Sequence, residues 1–212
     1  MYAQVIQGGT TPAARERMNR IVTDEMLPAL EAEPGYAGAL NLADPESGNG
    51  IHPAVRVGHV HLNVADLDRA LAFYRDGLGF HVVADGRPVG LDAAFLAAGD
   101  YHHHVGLNTW ESAGGTPPPS GHTGLYHVAF NYPDRRELAR AIRRLLDHGY
   151  DIDHATDHGG TVSVYLDDPD GIGIELYYDR PRETWFDADG RPVLKADRIA
   201  LSDILDDSPI GA

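Results

Sequence analysis

The chain runs twice through the same order of hydrophobic and polar patterns. "VGHVHLNV", residues 57–64, alternates apolar and polar positions, as a strand with one buried face does. "ADLDRALAFYRDGLGF" then switches to helical spacing. Leu67, Ala70, Leu71, Phe73, Tyr74 and Leu78 fall on or near one face, Asp66 stands at the N-cap and Gly79 at the stop. Three more strands are predicted near 80–85, 92–98 and 101–109. After the proline- and glycine-rich "ESAGGTPPPSGHT" the order returns. "GLYHVAFNY" reads as a strand, and "PDRRELARAIRRLLDHGY" as a helix. Asp134 is its N-cap, Glu137 completes a capping box, Leu138, Ile142 and Leu145 form its apolar stripe, and Gly149 ends it. Strands follow near 150–156, 161–167 and 172–178, the last two joined by the turn signal "DDPDG". His59-Val60 aligns with His127-Val128, an offset of 68 residues. The pattern predicts an α+β fold of two tandem βαβββ modules, 55–110 and 124–180, with the linker 111–123 between them.

The flanks read differently. "YAQVIQ", the helical stretch holding Met18, Ile21, Met26 and Leu30, and "YAGALNLAD" make residues 1–50 an N-terminal βαβ segment. A lone βαβ piece exposes a sheet face and an edge, so this one is expected to lean on the rest of the chain or on another subunit. Residues 181–212 read as a tail: Trp185 and Phe186 pack its start down, and its polar end covers a site or a subunit contact.

Composition narrows the partners. The 212 residues carry a formal net charge of -15, which repels nucleic acid and anionic lipid but not a divalent cation. There is no cysteine, so no disulfide is expected, and any metal must be held by histidine and carboxylate. The start lacks a charged-then-apolar signal pattern, and no run of about 18 apolar residues suggests a membrane span. The expectation is a soluble cytoplasmic protein.

The repeat places a histidine at the same point of each module, His59 and His127, where a pseudo-two-fold would aim both at one concavity. Glu175 is set among Ile172, Ile174 and Leu176, where a carboxylate is costly without a partner. Two histidines and a glutamate with open positions form the facial set of non-haem Fe(II), which also suits Mn(II) and less often Zn(II). Among the other candidates, His61 shares a strand face with His59, and either lines the cavity or packs. Trp110 and Phe95 read as core, His122, His148 and His154 as loop or helix-end residues, and Arg143-Arg144 as a solvated helix face.

These stretches resemble the vicinal oxygen chelate superfamily. "HVHLNVADLDRALAFYRDGLGF" is close to its first-module signature and "DDPDGIGIELYY" to the end of its second, over about residues 55–186. Within it the chain is most similar to extradiol catechol 2,3-dioxygenases, through "YHHHVGLNTW", "TGLYHVAF", "DHGGTVSVYLDDPDGIGIELY" and "YDRPRETW". The resemblance implies a cup-shaped mixed sheet. It also implies Fe(II), with Mn(II) as the alternative, on His59, His127 and Glu175, O2 as co-substrate, and a small catecholic substrate cleaved beside its hydroxyls. It gives His103 an acid–base role and Tyr165, ten residues before Glu175, a hydrogen bond to a substrate oxygen. His158 becomes an imidazole just outside the ligands, given a two-residue deletion. Alternation along a strand over 101–109 would turn His103 inward and His102 and His104 outward.

The same scaffold serves glyoxalase-like isomerases and lyases, and metal-free proteins that bind aromatic natural products. Glyoxalases take a carboxylate ligand from the last strand of the first module, where this chain has histidines followed by "VGLNTW". Residues 1–50 resemble the front half of an antibiotic-biosynthesis monooxygenase-like domain, of a kind that commonly dimerises through its sheet. That implies a homo-oligomer.

Overall fold

The computed structural model describes residues 51–52 and 54–206, and the predicted βαβ segment over 1–50 lies outside the described residues. From Arg56 on, the chain is one compact unit. Its first half runs through β1 (Val60–Asn63), α1 (Leu67–Leu71) with a π-helical turn over Ala72–Gly77, β2 (His81–Asp85), β3 (Ala93–Ala97) and β4 (Val105–Asn108). The second runs through β5 (His127–Tyr132), α2 (Arg135–Asp147), β6 (His154–Gly159), β7 (Thr161–Asp167) and β8 (Gly173–Asp179). Beyond it come β9 (Leu194–Ile199) and α3 (Leu201–Leu205). The twofold βαβββ order is the one the hydrophobic pattern predicts.

Each module makes its own mixed sheet, β1-β4-β3-β2 and β5-β8-β7-β6-β9. In both, the helix carries the chain from the first strand across to the second, and two antiparallel steps bring the last strand back parallel to the first, β4 beside β1 and β8 beside β5. The start signals hold, because Asp66 accepts from Arg69 N at 2.8 Å and Asp134 from Glu137 N at 2.9 Å. Gly79 takes a φ of +91° after the first helix, as a C-terminal stop requires.

Alternation along the strands separates two kinds of face. Val162, Val164 and Leu166 of β7 and Ile174 and Leu176 of β8 are buried with Leu138, Ile142 and Leu145 of α2. Each such side chain contributes about 1.5–3 kcal/mol. The residues between them turn the other way. Register lines up His154, Tyr165, Glu175 and Ala129 as one row across β6, β7, β8 and β5. The next row is Thr156, Ser163, Tyr177 and Asn131. A polar sheet face thus stands one peptide unit away from the core.

The turn between β7 and β8 is seated on the first module. The fully buried Tyr74 donates to Asp168 Oδ2 at 3.0 Å, and Asp168 Oδ1 accepts from Asp170 N and Ile172 N, both at 2.8 Å. Asp170 bonds Arg69 and accepts from Ala65 N at 3.2 Å. Burial pushes the Asp168 carboxyl above its ordinary range, and more strongly raises the Tyr74 phenol.

Three sequence expectations need correction. Residues 101–104 are not strand: β4 begins at Val105, so alternation does not orient the histidine triplet. Arg143 and Arg144 are not simply solvated, because Arg143 bonds the Leu205 carbonyl and Arg144 donates to Leu78 O at 3.2 Å. The tail, read without elements of its own, holds two: β9 extends the second sheet along β6, and α3 buries Ile204. Its start does pack down, with Trp185 Nε1 donating to Arg180 O at 2.8 Å. Among the described residues no helix is long and apolar enough to cross a membrane.

Candidate active site

On the polar face of the second sheet the side chains join into one run. His158 Nε2 lies 2.9 Å from Tyr165 Oη, which donates to Glu175 Oε1 at 2.7 Å. The other carboxylate oxygen, Oε2, lies 3.0 Å from His127 Nε2. Three of these residues come from neighbouring strands and point the same way by pleat, while His127 begins β5 beside Gly173. A glycine is needed there, since a Cβ on Gly173 would stand 2.4 Å from Tyr126 O. Glu175 is 6% exposed. Burial alone pushes its carboxyl up, but His127, Ser163 and Tyr165 outweigh that and hold it below the ordinary range. Burial and the Glu175 charge drive the Tyr165 phenol far up, so it keeps its proton.

His154, read from the sequence as a loop or helix-end residue, is instead the first residue of β6 and belongs to this face. Its ring stacks on Tyr165 with centroids 4.6 Å apart and planes 21° from parallel. The period-two spacing of His154, Thr156 and His158 in "HATDH" is the signal that could have found it.

The first sheet carries the other candidates. His103 packs on His59 with ring centroids 4.4 Å apart, and on Phe95 at 5.2 Å. Burial and then the imidazoles of His59, His102, His61 and His104 push its pKa down. His102 Nδ1 lies 2.8 Å from His103 Nδ1, so His102 is not turned to an outer face away from it. His61 sets its edge against Phe95 and Trp110, with centroids at 5.9 and 5.3 Å. Gly106 seats that ring, since a Cβ there would stand 3.0 Å from it. Trp110, expected in the core, is 56% exposed, and Phe95 is half-buried. His122 and His148 bond backbone carbonyls in a loop and at a helix end, as expected.

The structure therefore brings together two of the three expected ligands. His127 and Glu175 offer a nitrogen and an ionised oxygen 3.0 Å apart, as adjacent corners of an octahedral cation with bonds of about 2.1 Å would. His127 Nδ1 is buried with no partner among the described residues, so the pair is not a closed hydrogen-bonded unit within them. His59 stands beside His103 instead, and among the described residues no three histidines or carboxylates form a metal-holding group. The donor chemistry of His127 and Glu175 fits a divalent cation.

Paired βαβββ modules with a histidine- and carboxylate-bearing face define a vicinal oxygen chelate protein. The chain belongs to the Glyoxalase/Bleomycin resistance protein/Dioxygenase superfamily, which it matches over residues 56–176. It is 37% identical over 160 residues to a catechol-2,3-dioxygenase of Bacillus subtilis (strain 168), covering 74% of this chain and 54% of that one. It is 34% identical over 125 residues to biphenyl-2,3-diol 1,2-dioxygenase 3 of Rhodococcus globerulus, covering 58% of this chain and 63% of that one. The chain thus spans 54% and 63% of the length of these relatives. A glyoxylase/bleomycin resistance protein/dioxygenase domain from Frankia sp. EAN1pec shares the fold. Its TM-score is 0.51 at 23% identity, over 59% of this chain and 98% of that one.

Proposed function

We propose that this protein is an Fe(II)-dependent extradiol dioxygenase that opens a catecholic ring with O2. The observation that carries the reading is the unbroken run from His158 through Tyr165 and Glu175 to His127 on one sheet face. His127, Glu175 and His59 would hold the metal. Bound there, Fe(II) would give both catechol oxygens and O2 a common meeting point and a route for electron density between them.

The side chains supply the rest. Tyr165 keeps its proton and can turn it from Glu175 to a substrate oxygen. His103, with its pKa pushed down, is neutral at pH 7 and can take a proton from a catechol hydroxyl at a ring nitrogen. Phe95, His61 and Trp110 offer ring faces and edges against which an aromatic substrate packs.

The test is anaerobic loading with Fe(II), addition of substituted catechols and O2, and detection of the ring-opened product. A parallel series with Mn(II) decides the metal. No turnover of any catechol at stoichiometric iron sinks the proposal, and failure to retain any metal favours a binding protein for aromatic compounds. His103→Ala is expected to keep its iron and lose about a hundredfold in kcat, the lower end for a lost proton-transfer group. Loss of iron in that variant instead makes His103 a ligand.

A further inference from the structure

His158 stands opposite a break in the ladder between β6 and β9. Ala155, Thr156 and Asp157 pair in order with Ile199, Arg198 and Asp197, and Gly159 pairs with Leu194. One residue of β6, His158, therefore faces two of β9, Lys195 and Ala196. This is a β-bulge with the extra residue on β9, and a bulge frees backbone groups from the ladder. The Lys195 carbonyl goes to the His158 ring, with Nδ1 and O 3.0 Å apart. A carbonyl only accepts, so Nδ1 carries a proton and the neutral ring presents its lone pair at Nε2. Nε2 faces the Tyr165 hydroxyl, which faces Glu175 on its other side. The phenol has one proton and two acceptors within reach.

We infer that the bulge in β9 is a positioning device for the active site, in which the Lys195 backbone carbonyl sets the orientation and tautomer of His158. It thereby keeps a second acceptor ready for the Tyr165 proton when Glu175 gives its oxygens to a cation. This rests on the function proposed above. The carbonyl is held where it is needed by the Lys195 side chain, whose Nζ lies 3.1 Å from Asp157 Oδ2 and 3.3 Å from Asp197 Oδ2. Asp157 is itself fixed, with Arg180 at 2.7 Å and Gly159 N at 2.8 Å. Gly159, at a φ of +85°, leaves room for Val193, which a Cβ would meet at 2.6 Å. The superfamily match ends at residue 176, so β9 is a part of this chain beyond it that reaches back to the site.

Deleting Ala196 restores one-for-one pairing and tests the inference. In the metal-free full chain, nitrogen NMR of the His158 ring, identified by the signals lost in His158→Gln, is expected to show the Nδ1–H tautomer. The deletion is expected to move those signals toward Nε2–H. Asp157→Asn, which takes from Lys195 Nζ its nearer carboxylate and leaves only Asp197, is expected to move them the same way by a smaller amount. In the iron-loaded enzyme the deletion is expected to lower kcat about tenfold, with KM within about twofold and iron content unchanged. Combined with His158→Gln it is expected to cost nothing further. An Nε2–H tautomer in the unaltered chain overturns the inference, as do unmoved ring signals in both variants or additive losses in kcat. If the unaltered chain turns over no catechol, the function proposal falls, while the ring signals still decide whether the carbonyl positions His158.

Discussion

Glu175→Gln is expected to lose both its metal and its turnover. Glutamine keeps the shape of the side chain and an oxygen for the Tyr165 hydroxyl, but it brings a neutral amide to His127 in place of an anion. Partners outside a metal's ligands cost about 10–100-fold in affinity when removed, so loss of the anionic ligand itself should exceed about a hundredfold. The measurements are metal content after dialysis and the rate of ring opening. Full iron and full activity in the variant would falsify the ligand assignment. The metal-free chain adds a second readout. The Glu175 pKa is held below its ordinary 4.5, so its ionisation stabilises the fold above that pH. The contribution fades as pH falls through the lowered pKa. Acid unfolding of the variant should lack that part of the pH dependence.

The largest effect on stability is expected far from the chemistry, at Asp168. Its carboxylate serves the Tyr74 hydroxyl and two backbone N–H groups of the β7–β8 turn. Asp168→Ala strands a buried phenol and unties the turn, with about 1–3 kcal/mol lost for a stranded buried donor. A total of about 3–5 kcal/mol is expected in urea unfolding, against about 1–2 kcal/mol for Tyr74→Phe, which leaves the backbone bonds in place. Equal losses in the two variants would show that the turn does not depend on the carboxylate.

The sequence made the modules readable because their information is local. Asp66, Asp134, Gly79 and Gly149 punctuate helices from a few residues away, and strand alternation shows which residues share a face. Glu175 was legible for the same reason: a carboxylate within "GIGIELYY" is an anomaly on sight. What escaped depends on long-range pairing. His154 matters because β6 pairs with β7 in the register that sets it beside Tyr165. The Lys195 carbonyl is a backbone atom, and nothing in its side chain announces it. Strand β9 has weak apolar alternation because among the described residues it is an edge strand paired with β6, with five of its six residues exposed. The triplet at 102–104 misled for the opposite reason: a strand-like flank was extended through residues that form the approach to β4.

The alternation of β7 and β8 has a consequence for how such a protein changes over generations. Each residue of the polar face sits between two neighbours that belong to the interior, and only the latter hold the sheet to α2. Substitutions at Tyr177, half-buried on the polar face, change that face while the oily layer behind stays in place. On the function proposed above, substrate preference and foldability are thereby written on opposite sides of the same ribbon.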